Sequence, residues 1–122
     1  MVESALSLAQ EHGVGAFPVM DADNRLVGIV TTNDFVYRIM NPLLGVGKPG
    51  FRLHIYDCGT TQKIEQVLGI INKNGLQIEA IHVDDSFERD TRDLIVQVDT
   101  EDPGSLMSDL SGLGYRVEIR ER

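Results

Sequence analysis

The chain has 122 residues, 42% of them hydrophobic, with 19 acidic against 11 basic side chains and a formal net charge of -8. That length makes one ordinary domain or two very small ones, and burial of roughly two thirds of the unfolded chain's surface supports a core without disulfide or metal staples. The acidic excess repels a phosphate backbone and argues against nucleic acid as a partner; the single cysteine, Cys58, excludes an internal disulfide and a Cys-based zinc site.

Val2, Ala5, Leu8 and Ala9 recur at helical spacing, and Gly13 with Gly15 follows as a stop, which predicts a helix from Glu3 to His12. The runs Ala16-Phe17-Pro18-Val19-Met20 and Leu26-Val27-Gly28-Ile29-Val30 read as two short strands, joined by the turn formers Asp21-Ala22-Asp23-Asn24. Thr31-Thr32-Asn33-Asp34 then opens a second helix, with Phe35, Val36, Ile39 and Met40 on one side and Pro42 as its stop.

Residues 42–50 hold Gly and Pro at five positions and read as a linker between two units, 1–41 and 51–122. Beyond it, Phe51, Leu53 and Ile55 alternate with Arg52, His54 and Tyr56, the pattern of a strand with one buried face. Ile64, Val67, Leu68 and Ile71 follow the i, i+3, i+4, i+7 template of a helix, capped by Thr60 or Thr61 and closed by Gly75. Residues 76–83 are strand-like, but Ile78 and Ile81 share a face only if a bulge intervenes.

Asp84 to Asp93 is expected as an acidic, solvated hairpin loop. Leu94, Val96 and Val98 alternate with Asp93, Ile95, Gln97 and Asp99. Asp102-Pro103 marks a helix start, with Leu106, Leu110 and Leu113 as its buried stripe. Tyr115, Val117 and Ile119 complete a last strand. The fold class is therefore α+β, and the second part reads strand, helix, strand, strand, helix, strand, the pattern of a ferredoxin-like sandwich with a four-stranded antiparallel sheet.

Val14-Gly15-Ala16-Phe17-Pro18-Val19, followed by Leu26-Val27-Gly28-Ile29-Val30-Thr31-Thr32-Asn33-Asp34, resembles a CBS (cystathionine β-synthase) motif. Residues 51–122 resemble an ACT domain, and the combination is similar to CBS-ACT proteins of the acetoin-utilisation type. The chain starts at the first helix of the CBS pattern and shows no second copy, so a partial CBS unit is expected. At the first ACT turn, Asp57-Cys58-Gly59-Thr60-Thr61 stands where the family has Asp-x-Pro-Gly or similar.

The CBS resemblance implies an adenine nucleotide, such as AMP or ATP: Asp34 for the ribose hydroxyls, Thr31 for phosphate, and Ala16, Phe17 and Pro18 beside the base. A carboxylate suits paired hydroxyls, and free N–H groups at a helix start attract phosphate. The same Thr31 and Asp34 are also spaced as a capping box, which needs no ligand. The ACT resemblance implies an amino acid enclosed by Asp57, Cys58 and Gly59 of one subunit and the strand start Gln77 of a neighbour; as plain residues, loop Asp and Gly are turn formers.

Gly45-Val46-Gly47-Lys48-Pro49-Gly50 matches the letters of a dinucleotide fingerprint but runs from a helix into a strand, so it reads as linker. His12, His54 and His82 fall on separate elements, and the acidic run lacks the spacing of a calcium loop, so no metal and no resident cofactor are expected. No catalytic motif is present, which points away from an enzyme. No run approaches the roughly 18 apolar residues of a membrane span, and the start lacks signal-peptide character, so a cytoplasmic protein with no membrane partner is expected. Taken together, these features predict a regulatory module that senses a small-molecule effector through a homodimer, with a ligand-free interaction domain as the alternative.

Overall fold

The computed structural model describes residues 2–85 and 89–120. It divides into two compact units, 1–42 and 43–122.

The first unit begins with α1 (Val2–His12), followed by strands β1 (Ala16–Met20) and β2 (Leu26–Thr31), which pair antiparallel as a two-stranded sheet. The connecting turn is built by Asp21, whose Oδ1 accepts from the backbone N–H groups of Asp23 and Arg25, both at 2.9 Å, while Asn24 takes a positive φ of 62°. These are the turn roles that short polar side chains fill best. Helical structure follows as α2 (Thr32–Asp34), a π-helical stretch (Phe35–Met40) and α3 (Asn41–Leu43). Pro42, expected as a stop, is thus passed. The Asn41 N–H bonds back to Val36 O, five residues earlier, and the widened turn relieves the clash a proline ring makes in a regular α-helix. Ala9 and Phe35 are the buried apolar residues described in this unit, whereas Leu26, Val27 and Ile29 of β2 are 67%, 62% and 64% exposed.

The second unit runs β3 (Phe51–Ile55), α4 (Thr61–Lys73), β4 (Gln77–Asp85), β5 (Arg92–Asp99), α5 (Gly104–Gly112) and β6 (Val117–Arg120). The strands form one sheet in the order β4-β5-β3-β6, every neighbouring pair antiparallel. Leu53, Ile55, Leu94, Val96 and Val98 on one sheet face pack with Val67 and Ile71 of α4 and Leu106 and Leu110 of α5. Burial of these apolar side chains is the main stabilising term. The bulge demanded by Ile78 and Ile81 is present as a register shift between Ile78 and Ala80. Thr60 caps α4, its hydroxyl accepting from Lys63 N at 3.4 Å. Asp102 Oδ1 accepts from Gly104 N at 2.9 Å, but Pro103, expected as the first helical residue of α5, is its cap.

Four further expectations need correction. Residues 43–50 are not a loose linker: Gln97 Nε2 donates to Lys48 O and Pro49 O, both at 2.9 Å, Lys48 Nζ donates to Glu79 O at 3.2 Å, and Gly45 lies buried beside Gln97. The segment is a strap on the second unit, so one part of the sheet face away from the helices is covered too. Strand β5 is buried from Asp93 to Val98 on both faces, not on alternate residues, with the strap against Gln97 and with His54 and Arg89 against Asp93. The acidic loop is shorter than expected, because Asp84 and Asp85 end β4 and Arg92 and Asp93 begin β5; Glu88 lies outside the described residues. Leu68 and Leu113, expected in buried stripes, are exposed, Leu113 because α5 ends at Gly112 and releases it.

Candidate functional site

In the first unit, β1–β2 pairing sets Ala16 opposite Thr31, Phe17 opposite Val30 and Pro18 opposite Ile29. The strand then turns into α2 at Thr31, so Ala16 meets the strand-to-helix turn that carries Thr31 and Asp34, whereas Pro18 lies two residues along β1 and Phe17 is on the other face of the sheet. Thr31 N donates to Asp34 Oδ2 at 2.8 Å, Thr31 Oγ1 to the same oxygen at 3.1 Å, and Asp34 N to Thr31 Oγ1 at 3.3 Å. This is a reciprocal capping box. The Thr31 backbone N–H, then its hydroxyl, hold the Asp34 carboxyl below the usual carboxylate range against a smaller opposing effect of burial. Among the described residues, Asp34 Oδ1 meets only the exposed Arg38, at 3.7 Å, so one carboxylate oxygen is weakly engaged.

In the second unit, Asp57, Cys58 and Gly59 form the β3–α4 turn. Asp57 takes a positive φ of 50°, and its carbonyl accepts from Lys63 Nζ at 2.9 Å. The Cys58 side chain is fully buried in the core, burial pushes its thiol above the usual range, and its N–H donates to Arg92 O at 3.0 Å, which leaves only its carbonyl to face a ligand. Gly59 packs against Arg92, where a Cβ would overlap that side chain. Gln77 pairs with Asp99, whereas Ile55, just before the turn, pairs with Leu94, so within one chain Gln77 stands at the opposite end of the sheet.

The same turn is tied to a cluster the sequence did not disclose. Asp93 Oδ2 receives His54 Nε2 at 2.7 Å and Arg89 at 2.9 Å, and its Oδ1 accepts from Asp57 N at 2.9 Å. Burial pushes the Asp93 carboxyl up, but the bond from His54, then the Asp57 N–H and the Arg89 charge, leave it below its ordinary value. His54 Nδ1 is buried and, among the described residues, has no hydrogen-bond partner. Tyr56 stacks on His54 with ring centroids 4.2 Å apart, and its hydroxyl donates to Glu118 at 2.6 Å, which lowers the Glu118 carboxyl.

The alternation of Asp93 with Leu94, Val96 and Val98 placed it on the face away from the helices, and that much is correct. What sequence reasoning missed is its burial, since the partners come from β3 and from Arg89. No signal in the sequence sets that register. Among the described residues, no group of three or more His, Cys, Asp or Glu is arranged to hold a metal ion, and no helix is long and apolar enough to cross a membrane.

Among solved structures, the chain is similar to the crystal structure of protein BT0572 from Bacteroides thetaiotaomicron, at 18% identity and a TM-score of 0.47. That match covers 58% of this chain and 46% of the other, so it spans less than half of that protein. A CBS domain is detected at residues 1–41, and CBS domains are in general regulatory, ligand-sensing modules.

Proposed function

We propose that the chain is a regulatory module that binds an adenine nucleotide such as AMP or ATP at its first unit and an amino acid at its second, and that a homodimer transmits the ligand state. What carries the nucleotide half is the convergence of Ala16, Thr31 and Asp34 on one strand-to-helix turn inside a detected CBS domain. An Asp34 carboxyl held ionised, with Oδ1 engaged among the described residues only by the exposed Arg38, suits the paired hydroxyls of a ribose.

The amino-acid half reads the second unit as an ACT domain of ferredoxin-like type, on the strength of its strand order and of both helices packing on one face. Asp57 and Gly59 offer the turn, Cys58 only its carbonyl, and Gln77 would come from the neighbouring subunit. On this reading the protein works by binding rather than catalysis and acts in the cytoplasm. A ligand stabilises whichever assembly it fits better, and no chemistry is required of the chain itself.

Isothermal titration calorimetry with AMP, ATP and the common amino acids tests the proposal. Saturable heat with AMP or ATP is expected, and it should be lost in Asp34→Ala and weakened in Asp34→Asn, which keeps a capping acceptor. A second reading, a ligand-free assembly domain, is favoured by the exposed apolar strand β2. No heat with any of these compounds, together with a dimer in sedimentation, selects it.

A further inference from the structure

We infer that the strap, residues 43–50, is a latch: fastened across the sheet of the second unit it holds the chain taut, and lifted as one piece it becomes a free tether between the two units. The inference rests on neither ligand reading.

The strap crosses one row of the sheet. Arg52, Gln97 and Ala80 are register partners on β3, β5 and β4 and share the face away from the helices. Arg52 Nη2 donates to Leu44 O, Gln97 Nε2 to Lys48 O and Pro49 O, and Lys48 Nζ reaches Glu79 O on β4.

What fastens the strap is polar. Leu43, Leu44 and Val46 are 68%, 37% and 48% exposed, and Gly45 alone of the eight residues is buried, so little apolar burial adds to these bonds. Because each bond replaces one to water, its net worth is small. A segment held this way belongs to the least stable part of a fold and opens before the core does.

Two features weigh against the fastened state. Gln97 is only 1% exposed, yet its Oε1 has no hydrogen-bond partner among the described residues, a cost that solvent removes once the strap lifts. Gly45 and Gly47 take φ of +79° and +83°, and glycine loses more freedom on ordering than any other residue. At Gly45 the bare Cα is required, because a Cβ there would overlap Gln97 Oε1.

Fastening decides the reach of the chain. Helix α3 ends at Leu43 and the first anchored carbonyl is that of Leu44, so no residue is free between the helix and the anchor. Lifted, the eight residues span up to about 26 Å.

The test is hydrogen exchange of the ¹⁵N-labelled 122-residue chain, read by NMR over a range of low urea concentrations. The Lys48 amide, which donates to Gly45 O at 3.1 Å, and the Gln97 side-chain NH₂ report on the strap. Val96, fully buried in β5, reports on the core. Both strap reporters should show one opening, independent of urea and about tenfold or more above that of Val96, since a local opening exposes little surface. Gln97→Met keeps the side chain's length and removes both donors, and Gly45→Ala sets a methyl against it. Each should speed Lys48 exchange by about tenfold or more, the loss of one ordinary hydrogen bond, and leave Val96 unchanged. In the same variants the amides of the first unit should relax with a shorter correlation time than in wild type. Strap protons that exchange only with Val96 and with its urea dependence overturn the inference. So does Lys48 protection that neither variant alters, or an unchanged correlation time in a variant whose strap has opened. If Gly45→Ala does not fold, Gln97→Met alone decides.

Discussion

Replacing Asp93 by Asn removes a charge at a position only 3% exposed, where three donors converge on two carboxylate oxygens. The amide keeps one acceptor and turns the other atom into a donor. If its oxygen stays with Asp57 N, its NH₂ faces the donors of His54 and Arg89. His54 can yield by moving its proton to Nδ1, but that nitrogen is buried without a partner among the described residues, so the relief creates another bare donor. If the amide turns over, the Asp57 N–H loses its acceptor instead. A hydrogen bond to a charged group is worth roughly 1.5–3 kcal/mol and an unsatisfied buried donor costs roughly 1–3 kcal/mol. Because the Arg89 side chain is 41% exposed and can rehydrate, the lower ends apply, and the expected loss is about 3 kcal/mol, at the bottom of the range for a broken buried pair.

Urea unfolding followed by circular dichroism reads this loss as a midpoint lowered by about 2 M for a slope of about 1.5 kcal/mol/M. The pH dependence supplies a second check. The folded Asp93 carboxyl lies below its ordinary value, so its contribution is complete above the unfolded value of about 3.9 and disappears as the pH falls through the lower folded value. The gap between wild type and Asp93→Asn must therefore shrink on acidification. A variant within about 0.5 kcal/mol of wild type at neutral pH, the range of ordinary surface substitutions, refutes the reasoning. So does a gap that stays constant into acid.

Gly50→Ala should be still more damaging to the second unit: its φ is +94° and a Cβ there overlaps the backbone oxygen of Val98, which cannot retreat without breaking the β3–β5 register; a urea midpoint equal to wild type would contradict it. Thr31→Val removes a capping hydroxyl and should cost about 1 kcal/mol, visible as faster amide exchange at Asp34, with unchanged exchange as the opposing result. Cys58, fully buried with its thiol raised by burial, should react with a thiol reagent only as the second unit opens, so labelling accelerates in urea; rapid labelling of the native chain would show the core assignment to be wrong.

Local chemistry carried most of the elements. The i, i+3, i+4, i+7 spacing of Ile64, Val67 and Ile71 appears as α4, the polar run 21–24 as a turn, and the bulge near Ile78 follows from two apolar residues an odd number apart that must share a face. Thr31 and Asp34 were legible as a capping box because a cap is made within four residues of chain. The strap at residues 43–50 was not, since its glycines and prolines signal turns but cannot say what the turns rest against. Its anchor is Gln97, about fifty residues away in sequence and joined to it only by folding.

By itself, then, the sequence determined the kind and order of the strands and helices, because periodicity, caps and turn residues act over a few positions. Tertiary structure decided which polar groups meet. The β3–β5 register sets His54 opposite Ile95, two residues from Asp93 on the same face, and the β3–α4 turn then carries Asp57 N to the same carboxylate. Strand pairing aligns residues far apart in the chain, and a shift of one position would turn every one of these side chains to the other face.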